Sequence, residues 1–394
     1  MKEKNQFYQV TEAIRNYNGD KPLSFFLNAW FRQHRNMGSH DRKTMRTFVY
    51  NYFRLGKCLS DLSIEERIAI ATFTISNKRD SLVDYCITNL TSLPSENIFL
   101  SLDEKIKIIS QCYPGFDFKN IFSFQNYLSD HISAEEFYKS FLIQPDVWIR
   151  VRENFKETVL DELKKNNIEF TQAPDLPNAF GISNSTQLEN LKTFEKGYFE
   201  IQDRSSQKTG AFFQPNENEH WWDCCAGSGG KSLLLSEQEK NIKITVSDTR
   251  DAILENLKKR FHKAGLNNFE IKNLDLTSAN SRLPAADSFD GIIADFPCSG
   301  SGTWARTPEM LLYFNESDIE KFVGIQKEIL KNITPFLKKG KPLIYITCSV
   351  FKNENENIVD YAVNNLGFRL EKMELVTGYD KKADTLFTAR LIRI

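Results

Sequence analysis

The first 140 residues show the spacing of amphipathic helices. Apolar residues recur three and four positions apart, as in Phe25, Phe26, Ala29 and Trp30, and strand-like alternation is rare. This period places apolar side chains along one face of a helix. We therefore predict an all-helical first domain over residues 1–140.

A different pattern begins near Pro145. Two short apolar segments, at 147–151 and 168–170, flank a helical stretch at 156–166. Short strands around one helix predict a small α/β module over residues 143–200.

Beyond Gly197, strand-like apolar runs alternate with segments of helical pattern. Ten or more residues of helical pattern follow each of the earlier runs, whereas a short connection joins the last two. The runs lie at 221–223, 242–248, 269–275, 289–295, 342–347, 368–375 and 386–392. This order predicts an α/β fold over residues 201–394, with a doubly wound, mostly parallel, seven-stranded sheet and an antiparallel strand at its end.

Composition narrows the class of protein. No apolar run approaches the roughly 20 residues of a membrane helix, and charged residues rather than an apolar signal core follow Met1. The seven cysteines are odd in number and scattered, without a CxxC pair or a His at zinc-ligand spacing. We expect a soluble, monomeric, cytoplasmic protein with no disulfide framework, no metal and no membrane partner.

The net charge of −1 hides an uneven distribution. Residues 1–57 contain eleven Lys and Arg against four Asp and Glu, a balance of +7. A basic lobe of this kind attracts a phosphate backbone without reading its sequence. Nucleic acid is therefore a candidate partner, and a solvated basic helix surface is the alternative.

A glycine-rich segment, 223–232, lies where the first strand of the predicted sheet joins the first helix. Glycines let a backbone approach a ligand closely, and a helix N-terminus offers free N–H groups. A Walker A loop requires Gly where Cys225 stands, and a dinucleotide motif requires Gly where Ser232 stands. Both phosphate sites are disfavoured, which leaves a cofactor with a carboxylate, an amine and a ribose.

Two aspartates end the next two predicted strands. Asp248 could accept both ribose hydroxyls, as the acid on the second strand of a dinucleotide fold does. Asp275 could lie near an adenine amine. Each carboxylate could instead only cap the helix that follows its strand.

Cys298 and Cys348 follow the fourth and fifth predicted strands. Because the carboxyl ends of parallel strands face one crevice, we expect the two thiols to converge beside the cofactor. Taken singly, either cysteine would fit better as a small buried side chain.

The pairing of the two cysteines suits methylation at carbon 5 of a pyrimidine. A thiolate that adds to carbon 6 turns the ring into an enamine, which can attack a sulfonium methyl group. Lys231 is the candidate cation that activates the thiolate, and Asp295 is the candidate acid near ring nitrogen 3. Cys298 is positioned for the second step, in which the proton on carbon 5 leaves and the thiol is expelled.

These motifs resemble those of the Sun/RsmB-type RNA cytosine-5 methyltransferases. In that family a D-x-C-A-x-P-G-G-K segment binds S-adenosyl-L-methionine, a D-A-P-C-S-G segment carries the acid and the release cysteine, and a T-C-S segment carries the nucleophile. By this resemblance Cys348 is the nucleophile and Cys298 the release cysteine. The matching cofactor-binding positions are Cys225, Ala226, Gly227, Ser228, Gly229, Gly230, Lys231, Asp248, Asp275 and Asp295.

The resemblance extends to segments outside these motifs. Residues 202–207 are similar to the family's Q-D-x-x-x-Q motif, and residues 306–309 to its R-x-P-D motif. Residues 144–151 resemble the start of its small RNA-binding module, and residues 40–54 resemble the D-R segment of a NusB-like helical RNA-binding domain. The resemblance implies a Rossmann-like methyltransferase domain and an RNA partner, with ribosomal RNA preferred.

Two residues depart from the family pattern. Ser228 stands where the family has Pro, and we expect it to loosen the turn. Phe296 stands where the family has Ala, next to Asp295. Its ring either stacks on the target base or packs beneath it.

Two other functions fit parts of the sequence. An RNA-binding ribosome-assembly factor could keep the fold without turnover, as the basic lobe and the two departures would allow. A methyltransferase acting on exocyclic amines is disfavoured by residues 295–298. Such enzymes usually carry an N/D-P-P-aromatic turn there and need no thiol.

Overall fold

The computed structural model describes residues 2–35, 37–278 and 285–394, and the chain divides into two compact units. The first, here called the helical unit, comprises Met1–Asn126, Ser133–Gln144 and Trp304–Asn315. The second, here called the sheet unit, comprises Tyr127–Ile132, Pro145–Thr303 and Glu316–Ile394.

Helices and strands are numbered in chain order. The helices are α1 Lys2–Asn16, α2 Leu23–Gln33, α3 Ser39–Arg54, α4 Ile64–Ile75, α5 Ser81–Leu90, α6 Leu102–Cys112, α7 Ala134–Ser140, α8 Lys156–Lys165, α9 Lys192–Glu195, α10 Arg204–Lys208, α11 Gly230–Gln238, α12 Asp251–Lys263, α13 Met310–Tyr313, α14 Ser317–Ile333 and α15 Glu356–Asn365. The strands are β1 Val147–Val151, β2 Phe170–Ala173, β3 Leu176–Ile182, β4 Phe199–Ile201, β5 His220–Asp223, β6 Lys243–Asp248, β7 Phe269–Asn273, β8 Gly291–Asp295, β9 Pro342–Thr347, β10 Phe368–Val376 and β11 Leu386–Arg393.

Helices α1 to α7 and α13 belong to the helical unit. Capping boxes begin α4 at Ser63 and α6 at Ser101, where the serine hydroxyl accepts from the backbone N–H of the glutamate three residues on. Apolar positions such as Val49, Phe53 and Ile68 are buried in its core. The helical N-terminal region predicted from the apolar spacing is confirmed.

A four-stranded antiparallel sheet forms the first part of the sheet unit, in the order β2-β3-β1-β4. Its apolar face and α8 share one buried cluster, which includes Ile149, Val159, Leu163 and Phe180. This is the small α/β module that the short strands around one helix predict.

A seven-stranded sheet forms the rest of the sheet unit, in the order β10-β11-β9-β8-β5-β6-β7. Strands β5 to β9 pair in parallel, and β11 is antiparallel to both β9 and β10. The predicted doubly wound, mostly parallel fold is confirmed. From β5 the chain builds β6 and β7 on one side and then β8 and β9 on the other, so the carboxyl ends of β5 and β8 border the crevice of a switch point.

Three details differ from the sequence prediction. Strand β7 ends at Asn273, so Asp275 lies in the following turn rather than at a strand end. The described part of 274–290, which leaves out 279–284, contains no helix. The antiparallel strand β11 lies inside the sheet, and β10 is the edge strand.

No helix within the described ranges combines the length and the apolar character needed to cross a bilayer.

Candidate active site

The loop between β5 and α11 needs glycine at two positions for different reasons. Gly227 and Gly229 have φ of 52° and 81°, in the left-handed region. A Cβ at Gly229 would lie 2.3 Å from the ring of Phe261, so this residue lets the loop pack closely on α12. A Cβ at Gly227 would meet nothing within 4 Å, so only the backbone angle requires glycine there.

Asp248 at the end of β6 receives four donors. Its Oδ2 accepts from the Gly227 N–H at 3.1 Å, and the backbone N, Nε and Nη2 of Arg250 donate at 3.0, 2.8 and 2.9 Å. Burial opposes ionisation of Asp248, but these hydrogen bonds outweigh it and lower its pKa. The four donors fill the acceptor positions of the carboxylate. A ribose could bind Asp248 only if the Arg250 side chain, which is 63% exposed, moves away.

Asp275 forms its hydrogen bonds within its own turn and not with the glycine-rich loop or Asp248. Its Oδ1 accepts from the N–H and the hydroxyl of Thr277, at 3.0 and 2.6 Å. These bonds lower the pKa of the exposed Asp275 carboxyl. Asp275 therefore caps its own turn and not a following helix, and its role toward an adenine stays a prediction.

Lys231 connects the loop to β8. Its side chain is nearly buried, and its Nζ lies 3.0 Å from Asp295 Oδ2 and 2.9 Å from the hydroxyl of Ser206. The positive charge of Lys231 is therefore paired with the carboxylate of Asp295. Among the described residues, no hydrogen bond joins Lys231 to either cysteine. Activation of a thiol by Lys231 stays a prediction.

Cys298 and Cys348 face each other, with their sulfur atoms 3.4 Å apart. The hydrogen bond to Cys348, together with burial, raises the pKa of the Cys298 thiol well above its usual range. A thiol that stays protonated can donate to the neighbouring sulfur. The ends of β8 and β9 thus place the two sulfur atoms close enough for both to contact the same part of a bound substrate.

The structure accommodates both departures from the family motifs. The hydroxyl and carbonyl oxygens of Ser228 accept from Arg260 Nη1 at 3.0 and 3.1 Å. Phe296 is 3% exposed, and its ring centroid lies 5.2 Å from that of Tyr345. Of the two alternatives for Phe296, the structure supports packing beneath the site.

Residues 306–309 lie in the helical unit. Glu309 there is buried, and its Oε1 accepts from the Leu23 N–H at 3.0 Å. Through Glu309, the segment 306–309 therefore accepts a backbone hydrogen bond at the start of helix α2.

Among the side chains that contact the predicted residues but were not predicted from the sequence are Ser206, Arg250 and Arg260. Ser206 belongs to the 202–207 motif, which gave no reason to single it out. Arg250 and Arg260 are ordinary basic residues at the start and on the face of a helical pattern. Their roles depend on packing between distant segments, which residue spacing does not reveal.

A cavity of about 760 Å³ in the sheet unit lies elsewhere. Residues of β1, β3, α11 and the turn after α12 line it, and no predicted site residue is among them. Within the ranges that the structure describes, no group of three or more His, Cys, Asp and Glu side chains could hold a metal ion.

Comparisons with known proteins relate the chain to RNA-modifying enzymes. Residues 211–391 match the family model described as 16S rRNA methyltransferase RsmB/F. Ribosomal RNA small subunit methyltransferase B of Proteus mirabilis is 31% identical over 218 residues, which cover 54% of this chain and 50% of the relative. The chain thus spans about half the length of the first curated relatives it matches.

Solved structures show the same fold. The crystal structure of PH0851 has a TM-score of 0.72 and 20% identity, covering 98% of both chains. The structure of NSun6 from Pyrococcus horikoshii with SFG has a TM-score of 0.60 and 18% identity, covering 70% of this chain and 96% of that one. The likeness to the 16S rRNA methyltransferase RsmB/F family thus lies in residues 211–391 of this chain.

Proposed function

We propose that this chain transfers a methyl group from S-adenosyl-L-methionine to carbon 5 of a cytosine in ribosomal RNA. The observation that carries the proposal is the pair of sulfur atoms of Cys298 and Cys348, 3.4 Å apart. Cys298 follows β8, which ends at Asp295, and Asp295 forms an ion pair with Lys231. Methylation of an exocyclic amine would need no such pair of thiols.

The residues of the loop fit this cofactor. Asp248 is a carboxylate of lowered pKa that can accept hydroxyl groups once Arg250 moves. The space beside Gly227 is open. Support also comes from NSun6, whose structure was solved with SFG, an analogue of S-adenosyl-L-methionine. When bound, the cofactor supplies an electrophilic methyl group on a sulfonium.

The side chains have distinct roles in the proposed reaction. The Cys348 sulfur forms a bond to carbon 6 of cytosine, and carbon 5 thereby becomes the nucleophile that takes the methyl group. Asp295 is the proposed acid that donates a proton to ring nitrogen 3 as negative charge develops there and takes it back when the product forms. Lys231 is the proposed cation that favours the Cys348 thiolate. Once Cys298 has lost its own thiol proton to solvent, its sulfur accepts the proton from carbon 5. The bond between carbon 6 and the Cys348 sulfur then breaks, and Cys348 leaves as a thiolate.

A basic surface on the helical unit supports RNA as the partner. Five cations line a cavity of about 660 Å³ between α2 and α3. They are Arg32, Arg35, Arg42, Lys43 and Arg46, here called the basic surface. No Asp or Glu lines this cavity, and none of the five cations forms an ion pair within the described part of the chain. Unpaired cations on one surface are typical of phosphate binding.

Substitution of each cysteine tests the proposal. We expect Cys348→Ala to abolish methyl transfer from labelled cofactor to ribosomal RNA, because the sulfur proposed to bond to carbon 6 is then missing. Cys298→Ala should accumulate a protein–RNA adduct that survives denaturation, because the adduct cannot be resolved. Cys112→Ala, at an exposed cysteine on α6, is the matched control and should behave as wild type.

Three outcomes would contradict the proposal. Full transfer by Cys348→Ala would rule out the covalent mechanism. Equal adduct levels in both variants would contradict the distinct roles proposed for the two cysteines, and an adduct in Cys348→Ala alone would show that the roles are reversed. If wild-type protein binds no S-adenosyl-L-methionine at millimolar concentration, the RNA-binding assembly factor becomes the better function.

A further inference from the structure

Glu354 is a fully buried acid that no motif accounts for. It lies shortly after β9, and its side chain reaches the loop that follows β8. Glu354 Oε1 accepts from the Ser299 N–H at 2.9 Å, and Oε2 accepts from the Ser299 hydroxyl at 2.7 Å. One carboxyl group thus binds both the backbone and the side chain of the residue next to Cys298.

The same carboxyl also reaches the other cysteine loop. The Ser349 hydroxyl, next to Cys348, is a second hydrogen-bond partner of Glu354. It also lies 3.1 Å from the hydroxyls of both Ser299 and Ser301. The residues that follow the two cysteines therefore share one buried polar cluster built around Glu354.

Backbone hydrogen bonds extend this cluster to the cysteines themselves. The Gly302 N–H donates to the Cys348 carbonyl at 2.9 Å, and the Val350 N–H donates to the Ser301 hydroxyl at 2.9 Å. Each loop is thus tied to the other at more than one point, and a shift of one would displace the other.

A buried carboxyl group is costly unless its oxygens are hydrogen-bonded. Burial raises the pKa of Glu354, while the bonds from the two serines oppose that shift. The three serine hydroxyls and one carboxyl satisfy one another in a site that apolar side chains could have filled. Such a fully bonded network fixes one arrangement of its loops.

We propose that Glu354 is a positioning residue whose carboxyl, through Ser299 and Ser349, holds the sulfur atoms of Cys298 and Cys348 side by side. Its importance for methyl transfer rests on the proposed function. Its effect on the sulfur positions does not.

Disulfide formation by diamide measures the sulfur positions without any RNA or cofactor. Two neighbouring thiols give two electrons and two protons to diamide and form one disulfide, which peptide mass spectrometry assigns to Cys298 and Cys348. We expect Glu354→Gln and Glu354→Asp to slow this reaction at least about tenfold, because neither side chain can bind both serines as glutamate does. Glu356→Gln is the matched control, since Glu356 is a half-buried acid nearby in the chain and accepts from the Ser129 hydroxyl at 2.9 Å. It should react at the wild-type rate.

Ser349→Ala removes one arm of the cluster and leaves Glu354 in place. It should slow the disulfide as well, with an unfolding midpoint close to that of wild type, so that a folded variant is available even if the Glu354 variants unfold. Wild-type rates in every folded variant among these three would overturn the proposal.

Methyl transfer provides the second readout. A displacement of about 1 Å between reacting groups can cost on the order of 10²-fold in rate. We expect Glu354→Asp to lower kcat by that order with little change in KM for the cofactor. If wild type itself transfers no methyl group while the disulfide rates differ as expected, the proposed function fails and the positioning role stands. A change in KM alone would contradict the positioning role.

Discussion

Asp223 shows how burial controls a single charge in the sheet unit. It is 1% exposed, and burial raises the pKa of its carboxyl to about 7, although the Ser232 hydroxyl donates to it at 2.6 Å. Its Oδ1 has no hydrogen-bond partner among the described residues. The folded protein therefore holds a proton on Asp223 over a pH range in which the unfolded chain does not.

We predict that Asp223 makes the protein less stable as the pH rises. The folded pKa of about 7 exceeds the ordinary aspartate value of 3.8. Its contribution is therefore fully present below about pH 4 and is lost as the pH rises through 7, by up to about 4 kcal/mol. In urea unfolding between pH 4.5 and 8, the free energy of unfolding of Asp223→Asn should rise relative to that of wild type as the pH increases. Asp360→Asn, at an exposed site, is the control, and an equal pH dependence in both variants would contradict the prediction.

Two glycines of one loop provide a second prediction at this scale. Gly229→Ala combines a left-handed backbone with a Cβ 2.3 Å from Phe261, so we expect a loss of about 2–4 kcal/mol in the free energy of unfolding. Gly227→Ala has the backbone cost alone, about 1–2 kcal/mol. Urea unfolding of both variants measures the difference. Equal losses would mean that packing against Phe261 does not matter.

Helix α2 depends on a residue far away in the chain for its start. Pro22 stands at the cap position and offers no side-chain hydrogen bond. The Leu23 N–H is instead bonded by Glu309, which lies 286 residues further on. Burial raises the pKa of Glu309. A segment between two strands of the large sheet thus completes a helix of the helical unit.

We predict that Glu309→Ala destabilises the helical unit by about 1–2 kcal/mol, the usual cost of removing a helix cap. Glu309→Gln keeps an oxygen that can accept from Leu23 and should lose less. Thermal unfolding monitored by circular dichroism compares the two variants. Equal losses would show that the hydrogen bond to Leu23 contributes nothing.

Charge is distributed unevenly over the whole molecule. The net charge is −1, yet the first 57 residues carry a balance of +7, and the basic surface lies within them. Electrostatic attraction to RNA should therefore be local and sensitive to salt.

Charge reversal on the basic surface tests this expectation. Arg35→Glu with Lys43→Glu should weaken binding to ribosomal RNA and reduce the slope of log K against log salt by about 0.7–0.9 for each phosphate that the protein no longer neutralises. Lys78→Glu with Lys107→Glu, at exposed lysines of the same unit, is the matched control. Filter binding at several salt concentrations measures the slopes, and equal slopes for the two pairs would rule out the basic surface.

Much of the fold could be predicted because buried strands leave a local pattern. The runs at 342–347 and 386–392 agree with β9 and β11 to within one residue, since apolar residues predominate in both. The prediction placed Asp275 at a strand end, although β7 ends at Asn273, because apolar spacing does not show where the hydrogen bonds between two strands stop. Glu354 went unnoticed because an acid within an acidic, helix-like stretch has no distinctive spacing. Its partner Ser299 lies 55 residues away.

The segment Trp304–Asn315 has a consequence for the genetics of this protein. Tyr313 packs against Tyr17, and Trp304 packs against Phe122 and Phe124, although these partners come much earlier in the chain. The helical unit is therefore encoded in separate stretches of the gene. A recombination event that replaced only the first 144 codons would supply new packing partners for Trp304 and Tyr313. The aromatic contacts to Tyr17, Phe122 and Phe124 would then be lost unless the incoming segment carried the same residues. The segments Met1–Asn126 and Ser133–Gln144 should therefore be inherited together with Trp304–Asn315.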